Sequence, residues 1–322
     1  MRPNVATRRW RRSRLGAGAL IIAVPLSAAA LVASQALAAP AQQALKITSR
    51  SVRIPYGHDV IVRGAAPSEA GHTVVLEFAR RGASAWRRLS STTIAGDGSF
   101  RLTGALAQSG MVRAFDTSTG SQTPLLARSS GGAVAQTSTP VPVEVSARIR
   151  VRPRPISVLG GQAILVRGRL LPGLTGRKVS LQGRENGRWQ TLSSTRTRAA
   201  GRFVLRYVAN VARQEQVRVK FAGDHVNGRS TASAGQMTVY REAGASWYDD
   251  GGNTACGFHA YYGVANRTLP CGTKVALRYN GRSVTATVDD RGPFVGGRDW
   301  DLNQNTASRL GFGGVGTVWS SQ

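Results

Sequence analysis

Two carboxylates near the C-terminus have the type and spacing for acid–base chemistry. Asp290 and Asp301 are separated by a turn built on Gly292, Pro293, Gly296 and Gly297. If the strands on either side of that turn pair, both carboxylates face one groove. Cleavage of a glycoside needs a protonated carboxylic acid at the leaving oxygen, and therefore a raised pKa. A hydrolase adds a second carboxylate to activate water or attack the sugar. Asp301, between Trp300 and Leu302, is the better candidate for the acid, with Asp290 as its partner. Structural roles stay open for both: Asp290 can bond Arg291 or cap the turn, and Asp301 can cap the segment that follows it. Asp249, Asp250, Asp289 and Asp299 read as solvated loop acids.

Cys256 and Cys271 are the only cysteines of the 322-residue chain. With an export signal at the N-terminus, a disulfide is the expected state. Closing that loop is worth about 3 kcal/mol in the chain-entropy picture. Trp247, Tyr248, Tyr261, Tyr262 and Trp300 offer either a stacking platform for sugar rings or barrel core. Trp247 reads as core, while Tyr248 and Trp300, beside polar and acidic residues, suit a wet groove. The four histidines, His58, His72, His225 and His259, are scattered and read as surface residues. No Cys/His spacing suits zinc, and no metal or organic cofactor is expected.

The elements that must position these residues are strands. Val275, Leu277 and Tyr279 alternate before Asn280-Gly281, and Val284, Ala286 and Val288 alternate after it, a hairpin signature. A short helix fits Gln304 to Leu310, where Ala307 and Leu310 share a face. Upstream the chain repeats itself. Ile61-Val62-Arg63-Gly64 returns as Leu165-Val166-Arg167-Gly168, Trp86 with Leu89-Ser90-Ser91 as Trp189 with Leu192-Ser193-Ser194, and Gly98-Ser99-Phe100 as Gly201-Arg202-Phe203. A period near one hundred residues indicates a duplicated domain. Period-two alternation over short runs with Gly-rich turns predicts two immunoglobulin-like sandwiches. Trp86 and Trp189 read as core or sheet-face aromatics, and Ser118 to Pro142 reads as a linker.

The N-terminus carries six arginines within residues 1–14, then an apolar run from Leu15 to Leu37 and a small-residue site at Ala36-Leu37-Ala38. That is the pattern of a secretory signal, with an uncleaved anchor as the alternative. The whole chain has 43 Lys and Arg against 16 Asp and Glu. Of the net +27, residues 40–240 hold +20 and residues 241–322 only +1. Export, and the lack of any nucleic-acid-binding motif, argue against a nucleic-acid partner. The charge favours anionic wall polymers or a membrane surface.

The C-terminal motifs are Ala245-Ser246-Trp247-Tyr248, Thr268-Leu269-Pro270-Cys271-Gly272-Thr273, Asp290-Arg291-Gly292-Pro293-Phe294 and Gly297-Arg298-Asp299-Trp300-Asp301-Leu302. In order and spacing they resemble the RlpA-like double-psi β-barrel family, which includes septal-ring lytic transglycosylases and is related to expansin and barwin-like barrels. The resemblance covers about a quarter of the chain. It implies a six-stranded barrel with a carbohydrate groove and action on peptidoglycan glycan strands, with Asp301 at the essential aspartate of expansin-like barrels. Lytic members usually carry Glu where this chain has Phe258 and His where it has Asn266.

The expected architecture is therefore all-β. A signal at residues 1–38 precedes sandwich repeats at 39–142, with the linker, and 143–240. A six-stranded double-psi barrel follows at 241–322. The expected activity is that of a secreted, cell-wall lytic transglycosylase forming a 1,6-anhydro product, with Asp301 and Asp290 catalytic. Tyr248, Trp300, Asn266 and Arg291 are the candidate substrate contacts. The alternative is a non-catalytic, expansin-like binding or wall-loosening protein.

Overall fold

A computed structural model of the protein describes residues 45–49, 52–117, 136–249 and 251–322. The expected signal at 1–38 and most of the Ser118–Pro142 stretch lie outside the described residues. Within them the fold is β throughout, with one α-helix and two short 3-10 turns. No helix among them is long and apolar enough to cross a membrane.

The first unit has a three-stranded sheet in the order Lys46–Ile47, Asp59–Ala65, Ser99–Ala105. Its second sheet has five strands, ordered Val52–Pro55, Val141–Ser146, Gly110–Asp116, Thr73–Arg80, Arg87–Thr93. Period-two side chains from both sheets, among them Val60, Val62, Leu76, Phe100, Leu102 and Val112, fill one core. The second unit repeats the plan. Arg202–Val208, Ala163–Leu171 and Arg148–Val151 form its small sheet. Arg188–Arg196, Lys178–Glu185 and Arg213–Phe221 lead its larger sheet to the long strand Ser230–Tyr248.

Duplication extends to irregularities. A register shift falls between Leu76 and Glu77 in one unit and between Leu181 and Gln182 in the other. Arg113 stacks 4.2 Å over the Trp86 ring, and Arg218 stacks 4.0 Å over Trp189. Both tryptophans thus lie on sheet faces under an arginine.

Two strands run across the expected unit boundaries. Val141, Val143 and Val145 belong to the first core, whereas Ala147 and Ile149 belong to the second. A division at residue 142 therefore cuts a strand of the first unit. A division at residue 240 cuts the strand Ser230–Tyr248, whose 19 residues run from the second unit into the third without a break. Its first part pairs with Arg213–Phe221 and its last part with Gly316–Ser320 and Trp300–Asn303.

On the outer face of the second unit's small sheet, arginines meet in register. Arg169 is paired with Arg202 on one side and Arg150 on the other, and all three are exposed. Like charges directly opposite one another across strands are unfavourable.

The third unit closes on itself. Its strands run in the order Ser230–Tyr248, Trp300–Asn303, Gly263–Ala265, Arg282–Asp290, Lys274–Tyr279, Gly316–Ser320, and the last pairs with the first. This six-stranded barrel encloses Val264, Leu277, Val288, Trp300, Leu302 and Val318. The Asn280-Gly281 hairpin is present, with φ of 44° and 80° at its two corner residues. The helix spans Gln304–Leu310, with Gly311 as its left-handed C-cap.

Candidate functional site

Asp290 and Asp301 come together through Ala265. The strand Gly263–Ala265 lies between the strands that carry them, and Ala265 is in register with Asp290 on one side and Asp301 on the other. Residues paired across a sheet share a face, and two strand spacings put their Cα atoms about 10 Å apart.

The two carboxylates have different partners. Asp301 is half-buried. Its Oδ1 accepts a hydrogen bond from Ser246 Oγ at 2.7 Å across the parallel register pair of their strands. That leaves Oδ2 without a protein hydrogen-bond donor among the described residues. Asp301 does not cap the helix: Asn303 does, its Oδ1 accepting from Thr306 N at 2.9 Å. Asp290 is tied to backbone. Its Oδ1 accepts from Ala255 N at 2.7 Å and from Arg291 N at 2.8 Å. It fastens the loop that bears Cys256 to the end of its own strand.

Four other residues stand differently from the sequence expectation. Trp300 is 0% exposed and sits in the barrel core. It alternates with Asp301, so the strand that presents the carboxylate on one face drives the indole to the other. Trp247, expected in the core, is instead 42% exposed. Asn266 is 9% exposed and its side chain is committed to the fold. Nδ2 donates to the Asp299 carbonyl, and Oδ1 accepts from Thr268 N and Leu269 N, closing the turn after its strand. Asp289 is fully buried, not a solvated acid, and its Oδ2 accepts from Ala260 N at 2.8 Å.

Tyr248 is half-buried, two residues beyond Ser246 and so on the Asp301 face of the long strand. Arg291 is partly exposed. It donates to the Asn266 and Asp290 carbonyls and reaches Cys271 Sγ at 3.1 Å. Cys256 and Cys271 are joined in a disulfide with Cα atoms 5.8 Å apart. Phe258 lies exposed on the stapled loop.

Sequence reasoning missed Ser246 and Phe294. Phe294, 81% exposed, caps the loop between the two aspartates. Arg267 holds that loop by donating to the Pro293 and Arg298 carbonyls, both at 2.8 Å. The available signal was an aromatic placed between glycines and a proline, where no strand could bury it.

Residues 240–319 match the protein-family model described as lytic transglycolase. The C-terminal module is RlpA-like. A probable endolytic peptidoglycan transglycosylase RlpA of Synechocystis sp. is 43% identical over 84 residues, 23% of this chain and 26% of the relative. That of Aquifex aeolicus is 45% identical over 76 residues, 21% of this chain and 33% of the relative. The endolytic peptidoglycan transglycosylase RlpA of Pseudomonas aeruginosa is 38% identical over 102 residues, 29% of this chain and 30% of the relative. The chain thus spans about a third or less of the length of these three relatives. Among solved structures, a chimeric titin Z1Z2 tandem covers 61% of this chain and 96% of its own length at 19% identity, with a TM-score of 0.23.

Proposed function

We propose that the protein is a secreted cell-wall lytic transglycosylase whose barrel cleaves peptidoglycan glycan strands, with Asp301 as the single acid and base. The observation that carries this reading is the asymmetry of the Asp301 carboxyl. Ser246 fixes Oδ1, and no protein donor among the described residues engages Oδ2, the oxygen assigned here to proton transfer. In the proposed reaction Oδ2–H protonates the glycosidic oxygen as the bond from the muramoyl C1 breaks. The resulting carboxylate then removes the proton of the same sugar's C6 hydroxyl. The C6 oxygen bonds to C1, giving the 1,6-anhydro ring and returning the proton to Asp301. No water enters, so a second activating carboxylate is not required. This accords with an Asp290 that is bound up in backbone contacts and acts by positioning the loop. Tyr248, Arg291 and the exposed ring of Phe294 are the proposed glycan contacts.

We read the two upstream units as immunoglobulin-like sandwiches, on their paired two-sheet plan, and the segment 1–38 as the export signal. The Arg150–Arg169–Arg202 row supports an anionic wall polymer as a further partner, because an anion relieves the repulsion of three arginines held in register.

A second reading, an expansin-like binder without cleavage, is favoured by Phe258 and by the turn-committed side chain of Asn266. Digestion of purified sacculi separates the two. Mass spectrometry should find anhydro-muropeptides released by the wild type and absent with Asp301→Asn. Sacculus binding without release, unchanged by Asp301→Asn, would establish the binder instead.

A further inference from the structure

We propose that Glu69, His72 and Asp116, in the first unit, form a divalent-cation site whose donors suit zinc. His72, read from sequence as an isolated surface residue, lies where two carboxylates converge on one ring nitrogen. Its Nδ1 is 2.8 Å from Glu69 Oε2 and 3.0 Å from Asp116 Oδ2. One donor atom from each residue lies within 4.8 Å of the others. In a tetrahedral zinc site, ligand bonds near 2.1 Å place neighbouring donors about 3.4 Å apart. Small outward shifts would therefore admit the ion. An imidazole with two carboxylates suits zinc better than magnesium or calcium, which take oxygen sets.

Charge points the same way. The Asp116 side chain is fully buried and that of Glu69 nearly so. Two buried carboxylates side by side are costly unless countered. A protonated His72 brings one positive charge, whereas a divalent ion beside neutral imidazole brings two. Glu69 is also oriented from behind. Its Oε1 accepts from Gln136 Nε2 at 3.0 Å and Ser68 Oγ at 3.2 Å, which aims Oε2 at the cluster, as outer-shell partners do in metal sites. The His72 side chain, 37% exposed, leaves an approach from solvent.

The duplicated unit supplies an internal comparison. Arg177 holds the place of His72: the His72 carbonyl accepts from Ile94 N, and the Arg177 carbonyl accepts from Thr197 N, each at 2.9 Å. Arg177 carries its own fixed charge to Asp224, with bonds of 2.8 and 3.1 Å. One scaffold position thus holds a permanent cation in one copy and a cluster of ligands in the other.

The test is calorimetric titration of the EDTA-stripped full chain with zinc chloride, with magnesium chloride as a comparison. The wild type should take up one zinc ion and show no comparable magnesium binding. His72→Arg copies the second unit and should melt cooperatively while binding zinc more than about 100-fold more weakly, beyond the usual effect of losing an outer-shell partner. If that variant does not fold, Asp116→Asn is read in its place, with the same loss expected. No saturable zinc uptake by the wild type, or equal uptake by the variant, would overturn the proposal.

Discussion

Ser246 Oγ donates to Asp301 Oδ1 at 2.7 Å, from the adjacent, parallel strand of the barrel. Because the two residues are in register, backbone pairing fixes their separation, and the serine orients the carboxyl without help from a loop. Ser246→Ala should lower anhydro-muropeptide release by about tenfold or more, the scale of one hydrogen bond to a charged group. Sacculus affinity and melting temperature should stay near wild type. The check is a kcat measurement on sacculi beside a binding isotherm. An equal loss of binding would assign the serine to glycan contact.

Phe294 and Trp300 make a contrasting pair of aromatics six residues apart. Phe294→Ala removes an exposed ring, so sacculus affinity should fall while stability changes by less than about 0.5 kcal/mol. Trp300→Ala opens the barrel core, at a cost of about 3–5 kcal/mol. Denaturant melts of both variants, with sacculus pull-down of the first, distinguish a contact from a core residue.

Much of this was legible in the sequence because it depended on local rules. The Asn280-Gly281 turn, the Gln304–Leu310 helix, the disulfide and the duplicated strands follow from turn chemistry, period and cysteine count. What was not legible depended on partners distant along the chain. Trp300 is buried because strand pairing puts it on the core face with Leu302, whereas Trp247, in register with Leu302, is exposed near the end of its strand; neither relationship is visible from neighbours in sequence. Asn266 looked like a binding residue but accepts from two amides of its own turn and donates to the Asp299 carbonyl, a contact that exists only once Asp299 folds beside it. Glu69, His72 and Asp116 could not be joined from spacing, since Asp116 lies 44 residues beyond His72 and is brought beside it only by strand pairing. The strand Ser230–Tyr248 runs through the expected boundary at residue 240, a continuity that composition does not reveal.

Arg169 sits between Arg150 and Arg202, so reversing its charge changes two cross-strand relationships at once. Arg169→Glu should weaken retention on sacculi that keep their anionic polymers and leave retention on stripped sacculi unchanged. It should also flatten the salt dependence of retention, because fewer counterions are exchanged. Equal retention of the variant on both materials would remove the arginine row from wall binding.

The Cys256–Cys271 bond staples the loop whose backbone reaches Asp290. Cys256→Ser with Cys271→Ser should cost about 3 kcal/mol, the chain-entropy value for a loop of this length. The loss should appear in the barrel transition and be reproduced by reductant with the wild type. A melt unaffected by either treatment would show that the loop is held by its hydrogen bonds alone.

The Arg177–Asp224 pair gives the second unit an acid sensitivity with a defined sign. Burial alone would raise the Asp224 carboxyl. Hydrogen bonds from Arg177 and from the backbone N–H groups of Asn227 and Val226, with the Arg177 charge, outweigh burial and hold it below its ordinary 3.8. A carboxyl depressed in the folded state contributes stability that is complete above the unfolded value and is lost as pH falls through the folded one. The contribution should therefore be flat from neutral pH to about pH 5 and decline below pH 4. Asp224→Asn should lower stability at neutral pH and flatten the acid slope of the second unit. Urea melts of both proteins at pH 7, 5 and 3 measure this, and parallel slopes would show that other carboxylates control acid unfolding.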